Sequence, residues 1–339
     1  MKRIAPALAL VLSALLAPAA AAGDGPALGA DSRDGVVGSG IRYQALQWSH
    51  ETVVTAVRVA DGRALAYRRL PGRWGVPAVS YDGTATGVSA DGSTLVLVES
   101  RATFPRERTR MLVLGARNLR VRDRIALRGD FSLDAISPDA ASIYLVEALS
   151  RRNPAHYQVR VYDMRASRLL ARPLVDRREP DEKMQGYAVT RATSADGRWN
   201  YTLYDRPAGT PFIHALDTDA RRAYCIDLDG VAPIGDYGAT RLDLGDRGGR
   251  LRLLVNGVRQ AAVNTRTFAV RAPLPARHPA SAPAPEAGGG DGGVPWGLLL
   301  AAAAAASLAA GGLLLVRRAP GSVGRREEDR AETTLEVWR

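Results

Sequence analysis

A unit of about fifty residues repeats along the chain, and this repeat limits the fold more than any other feature of the sequence. Each clear copy has a Ser-x-Asp turn followed by an alternating apolar strand, at residues 88–98, 136–146 and 193–203. A degenerate copy occupies residues 242–255. The aspartate of such a turn accepts backbone N–H groups, and a glycine there tolerates positive φ. The repeat therefore predicts short strands that return at regular intervals.

A second pattern, strand–turn–strand, follows each of these units. Its turns align at five equivalent positions, which are Asp61, Gly115, Asp163, Asp217 and Asn264. The first turn lacks a Ser-x-Asp unit before it, and residues 41–46 resemble the missing strand. We therefore expect the N- and C-terminal strands to share one sheet that closes a ring. A separate Asn256-Gly257 pair predicts a type I′ hairpin.

Strands at this spacing, without long amphipathic helices, are typical of a β-propeller, because a four-stranded sheet has two faces to cover. The fold class predicted for residues 39–270 is thus all-β, a β-propeller of about five four-stranded blades. A β-sandwich, or two smaller β domains, is the alternative. The regular repeat argues against that alternative.

The Ser-Pro-Asp-like turn at Ser137-Pro138-Asp139, the apolar strand after it and the hairpin at residues 159–170 resemble bacterial surface propellers of the YVTN and WD40-like type. The resemblance extends over residues 39–270 and concerns the fold. No copy carries an intact Trp-Asp or Tyr-Val-Thr-Asn signature. Such propellers include enzymes, ligand sensors and protein-binding platforms, so the resemblance does not select a function.

The two ends of the chain predict how the propeller is displayed. Residues 1–22 have the basic start, apolar stretch and small-residue end of a signal peptide. Residues 294–316 contain no charged residue and would form a helix of about 35 Å, enough to cross a bilayer. Arg317 and Arg318 follow directly, which places the tail, residues 317–339, in the cytoplasm. The prediction is a single-pass protein of the cell membrane with its N-terminal domain outside.

Two further segments complete the predicted organisation. Residues 23–38 are rich in glycine and aspartate and predict a disordered N-terminal segment. Residues 271–293 are rich in proline, alanine and glycine, a composition that forms extended spacers rather than a packed core. They predict a stalk between the propeller and the membrane.

The charge balance limits the partners. The chain has 46 lysines and arginines against 35 acidic residues, a net charge of +11. The arginines are scattered among acidic residues rather than clustered, which argues against nucleic acid as a partner. We expect the membrane, through residues 294–316, and an envelope protein or polymer as partners. The sequence does not indicate an oligomeric state.

No stretch of the sequence predicts a catalytic, cofactor-binding or metal site. The four histidines, His50, His156, His214 and His278, are far apart and lack metal-ligand spacing. Cys225 is the single cysteine and lies in an apolar stretch, which favours a buried structural thiol. Residues 227–230 begin like a calcium loop but lack its later ligands, which favours a plain turn. The Ser-x-Asp pairs recur once per unit, as structural turns do.

Two longer loops interrupt the regular spacing, at residues 150–156 and 176–186. Loops of this kind often carry binding function, although solvated charge alone would also explain them. The function expected from these features is a non-catalytic binding module for a protein, peptide or envelope polymer. The alternative is an extracytoplasmic hydrolase or lactonase with a metal in the propeller channel, which would need acidic or histidine side chains from several blades to converge.

Overall fold

The computed structural model describes residues 31–181, 184–206, 208–245 and 247–272. The predicted signal peptide, most of the stalk, the membrane segment at residues 294–316 and the tail lie outside the described residues. Within the described ranges, no helix has the length and apolar character needed to cross a bilayer.

The described chain folds into five four-stranded antiparallel sheets, each made from four consecutive strands. Sheet 1 contains β1 (Val36–Gly38), β2 (Ile41–Trp48), β3 (Glu51–Arg58) and β4 (Ala64–Pro71). Sheet 2 contains β5 (Trp74–Gly75), β6 (Thr94–Glu99), β7 (Arg108–Gly115) and β8 (Val121–Arg128). Sheet 3 contains β9 (Phe131–Ile136), β10 (Ser142–Ala148), β11 (Tyr157–Asp163) and β12 (Arg168–Leu169). Sheet 4 contains β13 (Tyr187–Thr193), β14 (Trp199–Asp205), β15 (Phe212–Asp217) and β16 (Arg222–Asp227). Sheet 5 contains β17 (Thr240–Leu244), β18 (Arg250–Val255), β19 (Val258–Asn264) and β20 (Val270–Arg271).

The turns form where the sequence predicts them. Four of the five aligned turn positions are the last residue of the third strand of their sheet, and Asp61 lies in the turn just after the third strand of sheet 1. At three of them the side chain accepts two backbone N–H groups of the turn, namely at Asp163, Asp217 and Asn264. Asn256 and Gly257 both have positive φ, 51° and 76°, as a type I′ turn requires. The repeat is thus encoded by local side-chain-to-backbone hydrogen bonds.

Successive sheets pack face to face, which makes the fold a β-propeller of five sheets. Clusters of buried apolar side chains join sheet 1 to sheet 2, sheet 2 to sheet 3, sheet 3 to sheet 4, and sheet 4 to sheet 5. Among the described residues, no such cluster joins sheet 5 to sheet 1. The packing therefore runs along four interfaces.

The expectation that terminal strands share one sheet is wrong. Residues 41–46 do form the strand that replaces the missing unit, since β2 pairs with β3 over its full length. The first strand of that sheet is β1, however, and it comes from residues predicted to be disordered. Its apolar part, Val36-Val37, is too short to show a period in the sequence. Sheet 5 is complete without it.

A hairpin at residues 77–86, here called the crossing hairpin, extends from sheet 2 between β5 and β6. Its tip contacts sheet 4, because Tyr81 N–H and Asp82 N–H donate to the carbonyls of Ala188 and Val189 at 2.9 and 3.2 Å. Thr190 Oγ1 donates to Asp82 Oδ2 at 2.7 Å. Sheets 2 and 4 are not neighbours in chain order, so the hairpin ties together parts of the propeller that the sheet-to-sheet packing leaves separate.

Candidate functional site

The two long loops that the sequence singles out lie together in the structure. One follows β10 and the other follows β12, so an antiparallel meander places both at the same edge of the sheets. Gly186 N–H donates to the carbonyl of Ala155 at 3.2 Å, and His156 pairs with Gln185 in an isolated bridge. The Ser-x-Asp turns precede the second strands and lie at the opposite edge. We call the edge that carries the two loops the loop edge.

The loops enclose a pocket of about 290 Å³, here called the two-loop pocket. Its lining is mainly apolar, with Leu149, Val159, Leu174, Val175, Met184 and two prolines, and it also includes His156, Tyr157, Gln158, Asp181 and Gln185. Tyr157 is buried, and its ring stacks on Tyr204 with 5.5 Å between centroids. Burial raises the pKa of Tyr157 well above its ordinary value, so the phenol stays neutral. The pocket suits one large apolar group.

Side-chain hydrogen bonds fix the first loop and the start of the second. Ser150 Oγ accepts the N–H of Asn153 at 2.9 Å, and Asn153 Oδ1 accepts the N–H of Ala155 at 2.9 Å. In the second loop Asp176 is buried and accepts the N–H of Cys225 on β16 at 2.8 Å. These bonds order the first loop and the start of the second, which lowers the conformational entropy that a ligand would cost there.

Asp176 also pairs with Arg178, whose Nη2 lies 2.6 Å from Asp176 Oδ2. Burial opposes ionisation of Asp176, but hydrogen bonds from Arg178 and from the backbone of Arg178 and Cys225 outweigh it and lower the pKa of this carboxyl. The carboxylate is thus charged at neutral pH and fastens the start of the second loop to sheet 4.

A cleft of about 760 Å³ adjoins the pocket along the loop edge, and we call it the arginine cleft. Leu149 lines both spaces. The cleft walls carry five arginines, which are Arg106, Arg108, Arg110, Arg128 and Arg151. At its base Arg106 Nε donates to Asp130 Oδ1 at 3.1 Å, and Arg101 Nη2 donates to the same oxygen at 2.8 Å. Two guanidinium groups thus balance the negative charge of the buried Asp130 carboxylate.

The remaining residues considered from the sequence do not assemble into a reactive site. His50 is exposed in a turn of sheet 1, and His214 is buried on β15 directly opposite Cys225. His156 is exposed at the mouth of the two-loop pocket, and His278 lies outside the described residues. In the described part of the chain, no three His, Cys, Asp or Glu residues lie close enough to hold a metal ion.

The Ser-x-Asp pairs serve their turns. Each serine Oγ donates to its aspartate, at 2.5 Å for Ser89, 2.8 Å for Ser137 and 2.6 Å for Ser194. Each aspartate also accepts a backbone N–H two residues on. Residues 227–230 likewise form a turn, in which Val231 N–H donates to the carbonyl of Leu228 and Asp227 pairs with Arg206.

Leu149 and the arginines of the cleft did not stand out in the sequence. Arg108 and Arg128 are twenty residues apart in the chain but directly opposite each other in β7 and β8. Counting outward from the turn at Gly115 in strict register, with Leu114 opposite Val121, would place Arg108 opposite Leu127 rather than Arg128. The missing information was the bulge between Val113 and Leu114, which shifts the register.

Comparison with known proteins finds distant structural similarity and no closer relationship. No family model and no curated protein matches the sequence. Similar solved structures include a prolyl endopeptidase (11% identity, TM-score 0.44, 73% of this chain and 37% of that one). Others are the Cps50 (Swd1) β-propeller domain of Myceliophteria thermophila (10% identity, TM-score 0.42, 71% and 67%) and TolB of Acinetobacter baumannii (16% identity, TM-score 0.33, 68% and 56%). The chain thus spans about a third to two thirds of the length of these proteins, and the likeness concerns the propeller fold alone.

Proposed function

We propose that this chain is a non-catalytic binding module that holds a protein or an envelope polymer at the loop edge of its propeller. One observation carries the proposal: the described parts of two long loops converge on a largely apolar pocket that opens beside a basic cleft. Concave sites with apolar walls and a few charged groups are the usual form of binding sites. The chemistry needed for the alternative, a channel metal with ligands from several sheets, has no supporting cluster among the described residues.

Site-specific photo-crosslinking on intact cells tests this function. A photoreactive residue at position 149 should capture a specific partner, because Leu149 lines both the pocket and the cleft. The matched control is position 165, an exposed site in the turn after β11 at the opposite edge. Equal capture from both positions would contradict the proposal. If elemental analysis finds a metal and substrate turnover depends on it, the alternative function, a hydrolase or lactonase, would be favoured.

We also propose that residues 294–316 tether the propeller to the membrane, with the stalk between them. The uncharged span and the arginines after it support this arrangement. Alkaline phosphatase is active only outside the cytoplasm, so a fusion after Pro275 should be active and one after Leu335 inactive. The reverse pattern would rule out this topology.

A further inference from the structure

We propose that the ligand of the loop edge is an acidic peptide segment, whose carboxylates lie in the arginine cleft and whose apolar side chain enters the two-loop pocket. This inference rests on the proposed function and narrows it to one chemical class. It follows from the charges of the cleft, the register of its two strands and the position of Leu149.

Three arginines of the cleft have no counter-ion among the described residues. Arg110 pairs with Glu99 at 2.9 Å, and Arg106 pairs with Asp130. Arg108, Arg128 and Arg151 are exposed, and the described part of the structure shows no ion pair for any of them. The paired arginines build the wall, and the other three present their charge to solvent.

The other charges that face the cleft leave it basic. Its lining contains two acidic residues, Glu107 and Asp130. Asp130 is buried and already contacted by Arg101 and Arg106. Glu107 alone faces the three arginines that lack a counter-ion. A ligand that enters the cleft therefore meets an excess of positive charge, which attracts anions and accelerates their association.

The register of sheet 2 adds a reason for an anionic ligand. Arg108 on β7 lies directly opposite Arg128 on β8. Like charges directly opposite each other destabilise a sheet. A carboxylate between the two guanidinium groups would remove this repulsion and accept hydrogen bonds from both. The repulsion between the two arginines thus lowers the stability of the isolated protein, and a bound anion would restore that stability.

The apolar pocket distinguishes a peptide from a phosphate polymer. Leu149 lines both spaces, so a single chain that follows the loop edge passes from one to the other. The pocket of about 290 Å³ accommodates a leucine or phenylalanine side chain. A polymer of glycerol phosphate has no group that would use it. An acidic polypeptide with an apolar residue satisfies both halves of the site.

Fluorescence anisotropy with the full-length protein in detergent tests the proposal. The probe is a labelled peptide of aspartates and glutamates around one leucine. The controls are the same peptide with asparagine and glutamine in place of the acids, and a peptide with serine in place of leucine. We expect the acidic leucine peptide to bind most tightly and its affinity to fall as salt rises.

Paired variants assign the binding to the cleft. The double variant R108S/R128S should weaken binding about tenfold, which corresponds to about 1.4 kcal/mol. R108K/R128K should retain most of the affinity, since the charge is kept. The control R165S/R266S removes the same charge from the opposite edge and should leave binding unchanged. Cooperative thermal unfolding of all three variants, with a midpoint for R108S/R128S no lower than that of the parent, confirms that they fold.

Two results would overturn the proposal. Equal binding of the acidic and neutral peptides would remove the role of charge. A second contrary result has two parts: poly(glycerol phosphate) competes as strongly as the unlabelled peptide, and the variant L149S binds the peptide as tightly as the parent does. Together they would assign the cleft to a phosphate polymer. In either case partner capture from position 149 on cells would still stand on its own, so failure of the ligand class and failure of the proposed function are distinguishable.

Discussion

Sheets 2, 3 and 4 bury both of their faces, whereas sheets 1 and 5 bury only one. The contrast appears along single strands. In β6, β10 and β15, five or six consecutive residues are buried. In β3 of sheet 1 and β18 of sheet 5, buried and solvent-accessible residues alternate. All five sheets have the same four-stranded meander, so position in the stack rather than local topology decides how much of each sheet is covered.

The open faces of the two terminal sheets differ in chemistry. On sheet 1 the open face carries large apolar groups, with Trp48 80% exposed, Tyr67 63% and Leu46 53%. On sheet 5 it carries mainly arginines, including Arg241, Arg250 and Arg252. The comparison teaches that a repeat can specify a blade without specifying what covers the first and last one. Four predictions test how far the two regions differ, from the largest expected effect to the smallest.

The largest effect is expected from the ion pair between the first strands of sheets 3 and 4. The side chains of Asp134 and Arg191 are each 3% exposed and form a salt bridge. Arg191 Nε also donates a hydrogen bond to Thr202 Oγ1 at 2.8 Å. Removing one partner leaves a buried charge, so D134A should lower the free energy of unfolding by about 3–5 kcal/mol. The matched change on the open face of sheet 1 is E51A, which removes the exposed partner of Arg69 and should cost about 0–1 kcal/mol. Urea unfolding measures both, and similar losses would contradict the distinction between the regions.

A pair of leucines compares apolar packing in the two regions. Leu145 on β10 is fully buried, and Leu46 on β2 is half exposed. L145A should cost about 2–5 kcal/mol because it opens a cavity between packed sheets. L46A should change the free energy of unfolding by less than about 0.5 kcal/mol. A large loss for L46A would show that the open face is covered in solution.

Acid sensitivity should distinguish the connection between sheets 3 and 4 from a turn of sheet 1. Asp176 is buried and has a lowered pKa, and Asp61 has a lowered pKa in an exposed turn, chiefly through the N–H of Arg63. A lowered pKa contributes stability that is present above the unfolded-state value, near pH 4, and is lost as pH falls through the folded-state value. D176N should therefore flatten the loss of stability below pH 4, and D61N should do so less. Unfolding midpoints measured from pH 7 to pH 2 check this, and equal curves for D176N and the parent would contradict it.

The smallest effect is spectroscopic. Trp48 on the open face is mostly exposed, whereas Trp74 at the interface of sheets 1 and 2 is buried. Iodide should quench Trp48 readily, and W48F should remove most of the quenchable emission from the propeller. W74F serves as the control and should leave that component intact. Protection of Trp48 from iodide would mean that another surface covers sheet 1.

Much of this architecture could be read from the sequence, because turns are encoded locally. The Ser-x-Asp pairs and the aligned turn positions predicted where strands begin and end, and the count of five sheets followed from them. The prediction that the terminal strands share one sheet was wrong, because ring closure depends on which distant sheets meet. No local sequence pattern indicates that.

The site was only half predictable. The loops at residues 150–156 and 176–186 were recognisable as interruptions of the repeat. Their meeting depends on the order of strands in sheet 3, and the arginine cleft depends on a register shift in sheet 2. Arg108 and Arg128 look like two of many scattered arginines until β7 and β8 are paired. Residues that come together only through tertiary structure are not spaced in the chain at a fixed interval that a sequence pattern could show.

The crossing hairpin has a consequence for the order in which the chain acquires its structure. The hydrogen bond between Asp82 and Thr190 joins residues that are 108 positions apart in the chain. During synthesis or export from the N-terminus, sheets 1 and 2 emerge well before the segment that completes the contacts of this hairpin. Contacts of such long sequence separation slow folding, because loop-closure entropy is lost before they form. Docking of β13 onto a hairpin made much earlier in synthesis is therefore expected to be a late and slow step of maturation.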